Sequence, residues 1–296
     1  MCAYENTKEL KFGYSLLQQT AYGTALAACS ASHCSNTDDI FTFSNNKWSN
    51  KDSFGKGHKW ATQRKTLSQD VKLSQTFQGT SWILGYILSY ALGYVETTQP
   101  DPVQSPNVYQ HVFKISSSAQ LPVTTIWQEL FPEKQIAVRD CLIQAFTLSG
   151  KKDEHVQVQQ SIIGSGHYAA SSVSIPDLVT TSFLLTHDVQ FLYNAVNISA
   201  RIMDFTFNYQ NQVDEKGGYT LGSPTISIPD VGNIAVRSYL LKSSETSDLK
   251  FKMLYYDDTI KTDDLGNKER ALTVTAVGDP IDTHYNHELK IDIPKA

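Results

Sequence analysis

Hydrophobic and polar residues alternate with a period of two through most of the chain. The segment NVYQHVFKIS places Tyr109, His111, Phe113 and Ile115 on one side, and HVQVQQSII alternates valines with glutamines. The same alternation returns later in NISARIMDFTFNYQ, TISIPD, NIAVRSYL, ALTVTAV and ELKIDI. Such alternation is typical of β-strands that bury one face. The pattern therefore predicts a mainly β protein.

One segment has helical spacing instead. No charged side chain occurs from Phe77 to Val95, and six hydrophobic residues fall on one wide face of an α-helix: Ile83, Leu84, Ile87, Leu88, Ala91 and Leu92. Small residues recur at every fourth position beside this face: Ser81, Gly85, Ser89 and Gly93. The pattern predicts a helix over residues 80–94.

The environment of this helix follows from its composition. The uncharged stretch is just long enough to span a bilayer, but its glycines and hydroxyl residues dilute the apolar part, so we expect no membrane contact. A ridge of small side chains permits close approach of another backbone. We therefore expect a buried helix clamped against a β-sheet, in its own subunit rather than in a neighbour.

Other segments are read from their caps and turns. TTIWQELFP, around Trp127, and SSETSDLKFKMLYYDD, where Ser243 or Ser244 is a candidate N-cap, are predicted to be helices. SIPDLVTTSFLLTHDVQFLYNAV fits a helix and a strand equally well. IAVRDCLIQAFTLSG, followed by the polar run KKDE, predicts two strands joined as a hairpin.

The predicted elements recur in order. Residues 60–166 and residues 197–293 both give strands, one helix and more strands, which is the pattern of a duplicated unit, although chance similarity explains it as well. This division predicts an N-terminal segment with an elaborated loop over 1–60, a first β-plus-helix unit over 61–175 and a second over 176–296.

Charge is unevenly distributed along the chain. The net charge of −5 disfavours a protein whose main task is to hold nucleic acid. Residues 47–72 hold seven Lys or Arg against two Asp, whereas residues 245–292 hold eleven acids against six Lys or Arg. The opposite charges favour a head-to-tail contact between copies, although solvated loops explain them equally. The candidate contact residues are Lys51, Lys56, Lys59, Arg64, Asp257 and Asp258.

No motif indicates catalysis or a cofactor. IIGSGHY and FGKGHKW lack the spacing of phosphate-binding loops. His284, His287 and Glu288 lie beside a strand pattern and lack the order of a zinc-binding helix. The four cysteines have irregular spacing, and the first residues show no secretory signal, so we expect reduced thiols in a cytoplasmic product. We expect no enzymatic activity, no metal and no cofactor.

The order of several segments resembles the tail tube proteins, the major tail proteins of long-tailed bacteriophages. KFGYSLLQQTAYGTALA is similar to the opening of that family, and TQRKTLSQDVKLSQTFQG followed by LGYILSYALG is similar to its polar strand and small-residue helix. A Thr/Pro loop, the strand YQHVF, the hairpin CLIQAFTLSGKKDEHVQVQQSIIG and the pair RIMDFTFNYQNQ and YTLGSP continue the resemblance. It covers the chain from about residue 11 onward and departs from the family in residues 27–60.

The resemblance implies a β-sandwich or barrel with one or two short packed helices. It implies rings of six chains, or of three chains if each carries two units, that stack into the tube of the virion tail after assembly in the host cytoplasm. The implied partners are other copies of the chain, a tape measure protein and other tail proteins. Double-stranded DNA passes through the lumen without specific binding, so a neutral to acidic polar wall is expected.

Two other functions fit the same residues. The inner tube of a contractile injection system, or of a phage-derived bacteriocin, is a close relative of the first reading. A β-sandwich that binds a receptor or glycan is a separate class, because fifteen Tyr and four Trp supply side chains that stack on sugars.

Overall fold

A computed structural model describes residues 9–15, 17–36, 40–49, 64–131, 134–176, 184–214, 218–228, 232–253 and 269–293. The prediction of a mainly β protein with a short helix is confirmed. The helix is α1 (Ser81–Leu92). The strands of the first half are β1 (Glu9–Tyr14), β2 (Ala31–Asn36), β3 (Thr42–Ser49), β4 (Arg64–Gln78), β5 (Gly93–Thr98), β6 (Gln110–Ile115), β7 (Thr124–Phe131), β8 (Lys134–Lys151), β9 (Gln157–Gly164) and β10 (Tyr168–Ala170).

The strands of the second half are β11 (Val189–Tyr193), β12 (Val196–Asn197), β13 (Ile202–Val213), β14 (Thr225–Ile228), β15 (Gly232–Ala235), β16 (Lys242–Met253), β17 (Leu272–Pro280) and β18 (Asn286–Ile293). Strands β1–β18 together form three sheets: a twelve-stranded sheet, a four-stranded sheet in the order β12-β11-β17-β18, and the two-stranded ribbon β5–β6. The predicted hairpin is confirmed, since β8 and β9 pair antiparallel on either side of the KKDE turn.

The long strand β8 organises the large sheet. Its first part pairs with β7 and β10, and its second part pairs with β9 and β13. Asp140 lies at the junction with φ of 54°, a left-handed conformation that is rare for a residue other than glycine. The strand therefore changes partners where its backbone departs from extended geometry.

The predicted helix is confirmed and packs against β8 of its own chain. Its hydrophobic face is buried, together with Tyr86 and Tyr90. The small-residue ridge is only half-buried at Ser81, Gly85 and Ser89, and a Cβ added to Gly85 would meet no atom within 4 Å. Bulky hydrophobic side chains hold the helix, and the ridge forms no close backbone contact here. No helix in the described ranges has the length and apolar character needed to cross a membrane.

The fourth small residue of the ridge, Gly93, ends the helix. It has φ of 81°, and a Cβ there would lie 2.9 Å from the Leu121 side chain. Glycine meets both demands, because it adopts a left-handed cap without steric cost. The chain passes directly from this cap into the ribbon.

Two predicted helices are wrong. Trp127 lies in β7, where consecutive residues are buried on both faces, so the strand shows no alternation. The segment from Ser243 onward is β16, in which Leu249, Phe251 and Met253 are half-buried at a period of two. Ser243 donates to the Gln212 carbonyl (2.8 Å) and does not cap a helix. The predicted duplication therefore loses the second helix on which it depended.

The main core lies on one face of the large sheet. That face packs against α1 and against the four-stranded sheet, where Phe191 of β11 meets Phe205 of β13 with ring centroids 5.4 Å apart. The segment that fitted both a helix and a strand lies partly outside the described residues. Its described end forms a short 3-10 turn over Thr186–Asp188 and then β11.

Candidate functional site

Most of the charged residues predicted to join copies lie outside the described ranges. This applies to Lys51, Lys56, Lys59, Asp257 and Asp258. Arg64 begins β4, where its backbone is paired with Ser49. A different candidate surface comes from the strands themselves.

Five adjacent strands of the large sheet, in the order β4-β9-β8-β13-β16, hold their residues in common rows. The register aligns three rows of four outward-facing residues on the first four strands. The first row is Ser74, Ser161, Ala145 and Gln210. The second row is Thr76, Gln159, Thr147 and Asn208. The third row is Gln78, Gln157, Ser149 and Thr206.

These twelve positions form what we call the polar face. All twelve are exposed or half-exposed, none is charged and none is aromatic. Hydroxyl and amide side chains fill every position except Ala145. Thr147 donates a hydrogen bond to the Asn208 side chain (2.9 Å), so neighbouring groups bond across strands. The result is a polar surface that carries no charged side chain at these twelve positions.

The polar face has defined limits. At one end a small hydrophobic cluster that includes Leu142 and Ile163 covers the sheet. At the other end Lys151, Asp204 and Lys252 align in one charged row. On β16 the three rows end in Thr246, Asp248 and Lys250, the last two joined as an exposed ion pair of 2.8 Å.

The outer edge of β16 borders the polar face. This strand of twelve residues pairs with β13 along its length, and the structure describes no strand on its other side. Six consecutive residues, from Ser243 to Asp248, are exposed. An open edge presents backbone N–H and C=O groups that can pair with another chain.

The ribbon β5–β6 is a second exposed element. One side carries Val95, Phe113 and Ile115, and the other carries the pair Lys114 and Glu96 (3.7 Å). Val95 and Ile115 are 41% and 49% exposed, so this side of the ribbon leaves apolar surface uncovered by the described residues. The base of the ribbon is fixed, since Lys242 donates to the Ser116 carbonyl (2.7 Å).

A buried polar cluster surrounds the bend of β8. The Asp140 carboxylate accepts hydrogen bonds from the Gly23 N–H (2.8 Å), the Gln19 amide (2.9 Å) and the Ser165 hydroxyl (2.6 Å). His167 Nδ1 lies 3.1 Å from Oδ2 of the same group. Burial raises the pKa of Asp140, but the bonds from His167, Ser165 and Gly23 outweigh it and hold the pKa below its usual value.

This cluster joins a serine, a histidine and an aspartate, yet its geometry is that of a structural anchor. Ser165 is fully buried, and both Ser165 and Asp140 approach the same nitrogen of His167. A triad instead places the nucleophile and the carboxylate on opposite nitrogens of the ring. The cluster fixes the loop Gln19–Thr24 to the sheet, which gives the segment AYGTALA a structural role.

Other candidate chemistry is weak in the described ranges. No group of three His, Cys, Asp or Glu residues there could hold a metal ion. A shallow cavity of about 510 Å³ is lined by polar residues that include His187, Asp188 and Asp279. His187 Nε2 lies 3.2 Å from Oδ1 of Asp188, and the histidine is largely exposed.

Sequence reasoning missed the polar face, although the signal was present. The segments VQVQQS, FTLS and FTFNYQ each alternate core residues with uncharged polar ones. Only the pairing register shows that these alternations align across neighbouring strands.

A scan of the sequence against protein-family models finds no match, and a search of curated proteins finds no similar sequence.

Proposed function

We propose that this chain is a structural protein of a virus particle, the tail tube of a bacteriophage, whose copies join into rings and stack into a channel for DNA. The observation that carries the proposal is the open edge of β16 beside a broad sheet face without charge. The sequence resemblance to tail tube proteins supports it independently.

Edge pairing is a physical route to such a ring. In a free monomer an open strand of twelve residues is an aggregation hazard, because its backbone groups template pairing. In a ring the same groups bond to the neighbouring copy and extend the sheet from subunit to subunit. Contacts of this head-to-tail kind close into a ring when the rotation between copies fits.

The composition of β16 is consistent with a pairing edge. It contains no proline, and Leu249, Phe251 and Met253 alternate at one end with exposed lysines. Natural proteins blunt edges with proline, charged side chains, bulges or inward-pointing charges when pairing must be avoided. β16 lacks proline, although five of its twelve residues are charged: Lys242, Glu245, Asp248, Lys250 and Lys252.

Two neighbouring proline variants test the edge. The backbone N–H groups of successive residues in a strand point to opposite edges, and proline has no N–H. One of the variants Thr246→Pro and Ser247→Pro therefore loses a backbone hydrogen bond to β13. The other loses an N–H donor on the open edge. We expect electron microscopy of the purified wild-type protein to show rings or tubes. The variant whose unfolding free energy stays near the wild-type value is expected to form none.

Two outcomes contradict the proposal. One is a wild-type protein that remains monomeric at high concentration in every salt tested. The other is a folded edge variant, with wild-type stability, that assembles into tubes of wild-type length. A serine substitution, Thr246→Ser, is the matched control because it keeps the backbone N–H.

One observation favours a glycan-binding module as a second candidate. Tyr94 and Tyr109 are 47% and 55% exposed at the ribbon, where an aromatic ring can stack on a sugar. Reproducible hits on a glycan array that disappear in Tyr109→Ala, from a protein that forms no rings, would favour this function over the tube.

A further inference from the structure

We infer that the polar face lines the water-filled interior of the assembled ring and is the surface past which duplex DNA moves. This inference rests on the proposed tube function. It adds to that function by identifying the wall of the channel as the three rows of the polar face, whose central row contains Thr147 and Gln159.

The first step is that the polar face is unlike an ordinary protein surface. Its twelve positions carry no charged side chain, whereas bordering positions such as Lys72, Asp248 and Lys250 do. Charged side chains keep exposed sheets soluble and separate. An uncharged sheet face beside an open edge is therefore better suited to the interior of an assembly than to the outside of a monomer.

The second step is that the polar face is unsuited to a dry contact between proteins. The cores of protein interfaces are enriched in aromatic residues and depleted in serine. The polar face has no aromatic residue, and its central row consists of Thr76, Gln159, Thr147 and Asn208. Burial of hydroxyl and amide groups without matched partners costs free energy. Water is the medium that satisfies all of them at once.

The third step concerns a duplex in that water. Affinity for DNA comes mainly from Lys and Arg neutralising phosphates, and single strands are held by stacking on aromatic rings. The polar face provides neither. Two lysines at its margins are paired with carboxylates, Lys250 with Asp248 (2.8 Å) and Lys151 with Glu154 (3.7 Å). A duplex can therefore pass without being held at fixed points.

Chemical labelling of assembled tubes tests the location of the face. In the variant Gln159→Cys, which places a thiol at an exposed position, a small maleimide is expected to react in both tubes and unassembled protein. A maleimide on a large polyethylene glycol chain is expected to react only in unassembled protein, because the lumen excludes it. Wild-type tubes give the background from the native cysteines.

The outcomes separate this inference from the proposed function. If Gln159→Cys tubes react equally with both reagents, the face lies outside the tube, and if they react with neither, it is buried between subunits. Each of these results overturns the inference while the tube stands. Failure of the wild-type protein to form tubes overturns the proposed function itself.

A second measurement tests the lack of binding. Wild-type tubes incubated with a short fluorescent duplex are expected to sediment without it, whereas Gln159→Lys tubes retain it at low salt and release it at high salt. Gln159→Glu is the matched control and should retain none. Salt-dependent retention of the duplex by wild-type tubes overturns the inference.

Discussion

The two faces of the five-stranded segment β4-β9-β8-β13-β16 share one backbone but differ in chemistry. Inward positions alternate with the polar face along every strand and carry side chains such as Phe77, Leu148 and Tyr209, all at most 3% exposed. Outward positions on the first four strands form the uncharged polar face, whereas on β16 they include Asp248 and Lys250. Inward positions therefore determine whether the chain folds, whereas outward positions are free to be selected for what they meet.

The inward face also contains buried polar residues, among them a pair of glutamines in the same row. Gln160 donates to the Gln75 side-chain oxygen (2.8 Å), and the Tyr14 hydroxyl donates to that oxygen as well (3.0 Å). One polar atom of each amide has no further protein partner. The comparison therefore predicts four losses of folding stability, from the largest in the aromatic core to the smallest at the outward threonines.

The largest effect is expected at Phe146, which is 2% exposed and lies 5.4 Å from the Tyr209 ring between centroids. Phe146→Ala should lower the free energy of unfolding by about 3–5 kcal/mol, since it leaves a cavity between β8 and β13. Denaturant unfolding followed by circular dichroism measures the change.

The matched control for Phe146 is an outward residue of the same strand. Ser149→Ala is expected to change the free energy of unfolding by less than about 0.5 kcal/mol. Equal losses in the two variants would mean that both faces are packed, and the contrast between them would be wrong.

The next effect concerns Asp140, which interrupts β8 where the strand changes partners. Asp140→Ala should cost about 3 kcal/mol, because buried donors from Gly23, Ser165 and Gln19 lose their acceptor and a left-handed backbone position receives alanine. Asp140→Asn keeps one acceptor and tolerates the backbone, so it should cost less. An alanine variant as stable as the asparagine variant would contradict the assigned role.

Asp140 also predicts a pH dependence. Its pKa in the folded protein lies below the unfolded value of about 3.9. Its contribution to stability is therefore complete above that value and is lost as the pH falls through the folded pKa. We expect the wild-type protein to lose stability more steeply than Asp140→Asn below about pH 4, measured by urea unfolding at a series of pH values.

The sequence predicted the elements better than their arrangement. Alternation located the strands around β6, β8, β9 and β13, and helical spacing located α1, because burial on one face leaves a periodic trace. The trace fails in β7, where Ile126, Trp127 and Gln128 are all buried. It also fails in β16, where serine and charge suggested a cap and tertiary pairing with β13 decided the outcome.

The candidate site was less predictable than the fold. Polar alternation is visible within each strand, but the polar face exists only because residues up to 136 positions apart, such as Ser74 and Gln210, share a row. Likewise, Asp140 and Gly23 are distant in sequence, and no local pattern pairs them. The proposed contact residues Lys51, Lys56, Lys59, Asp257 and Asp258 lie outside the described residues and stay predictions.

The third-largest loss of stability is expected at the glutamine pair, whose side chains are polar although they lie on the inward face. Gln160→Leu should cost about 1–3 kcal/mol, since it removes a donor to the buried Gln75 oxygen. Replacing both glutamines by leucine should cost less than the sum of the single changes. A double-mutant cycle measured by denaturant unfolding checks this, and strict additivity would show that the two amides act separately.

The smallest effect is expected on the polar face itself. Thr147→Ala removes the hydrogen bond to the Asn208 side chain but leaves both strands paired, so the free energy of unfolding should fall by only about 0.2–1 kcal/mol. Thr147→Ser keeps the hydroxyl and should stay closer to the wild type. Thermal unfolding of the two variants measures the difference. A loss as large as that of Phe146→Ala would show that the outward hydroxyls hold the sheet together, and the separation between a stabilising face and a functional face would fail.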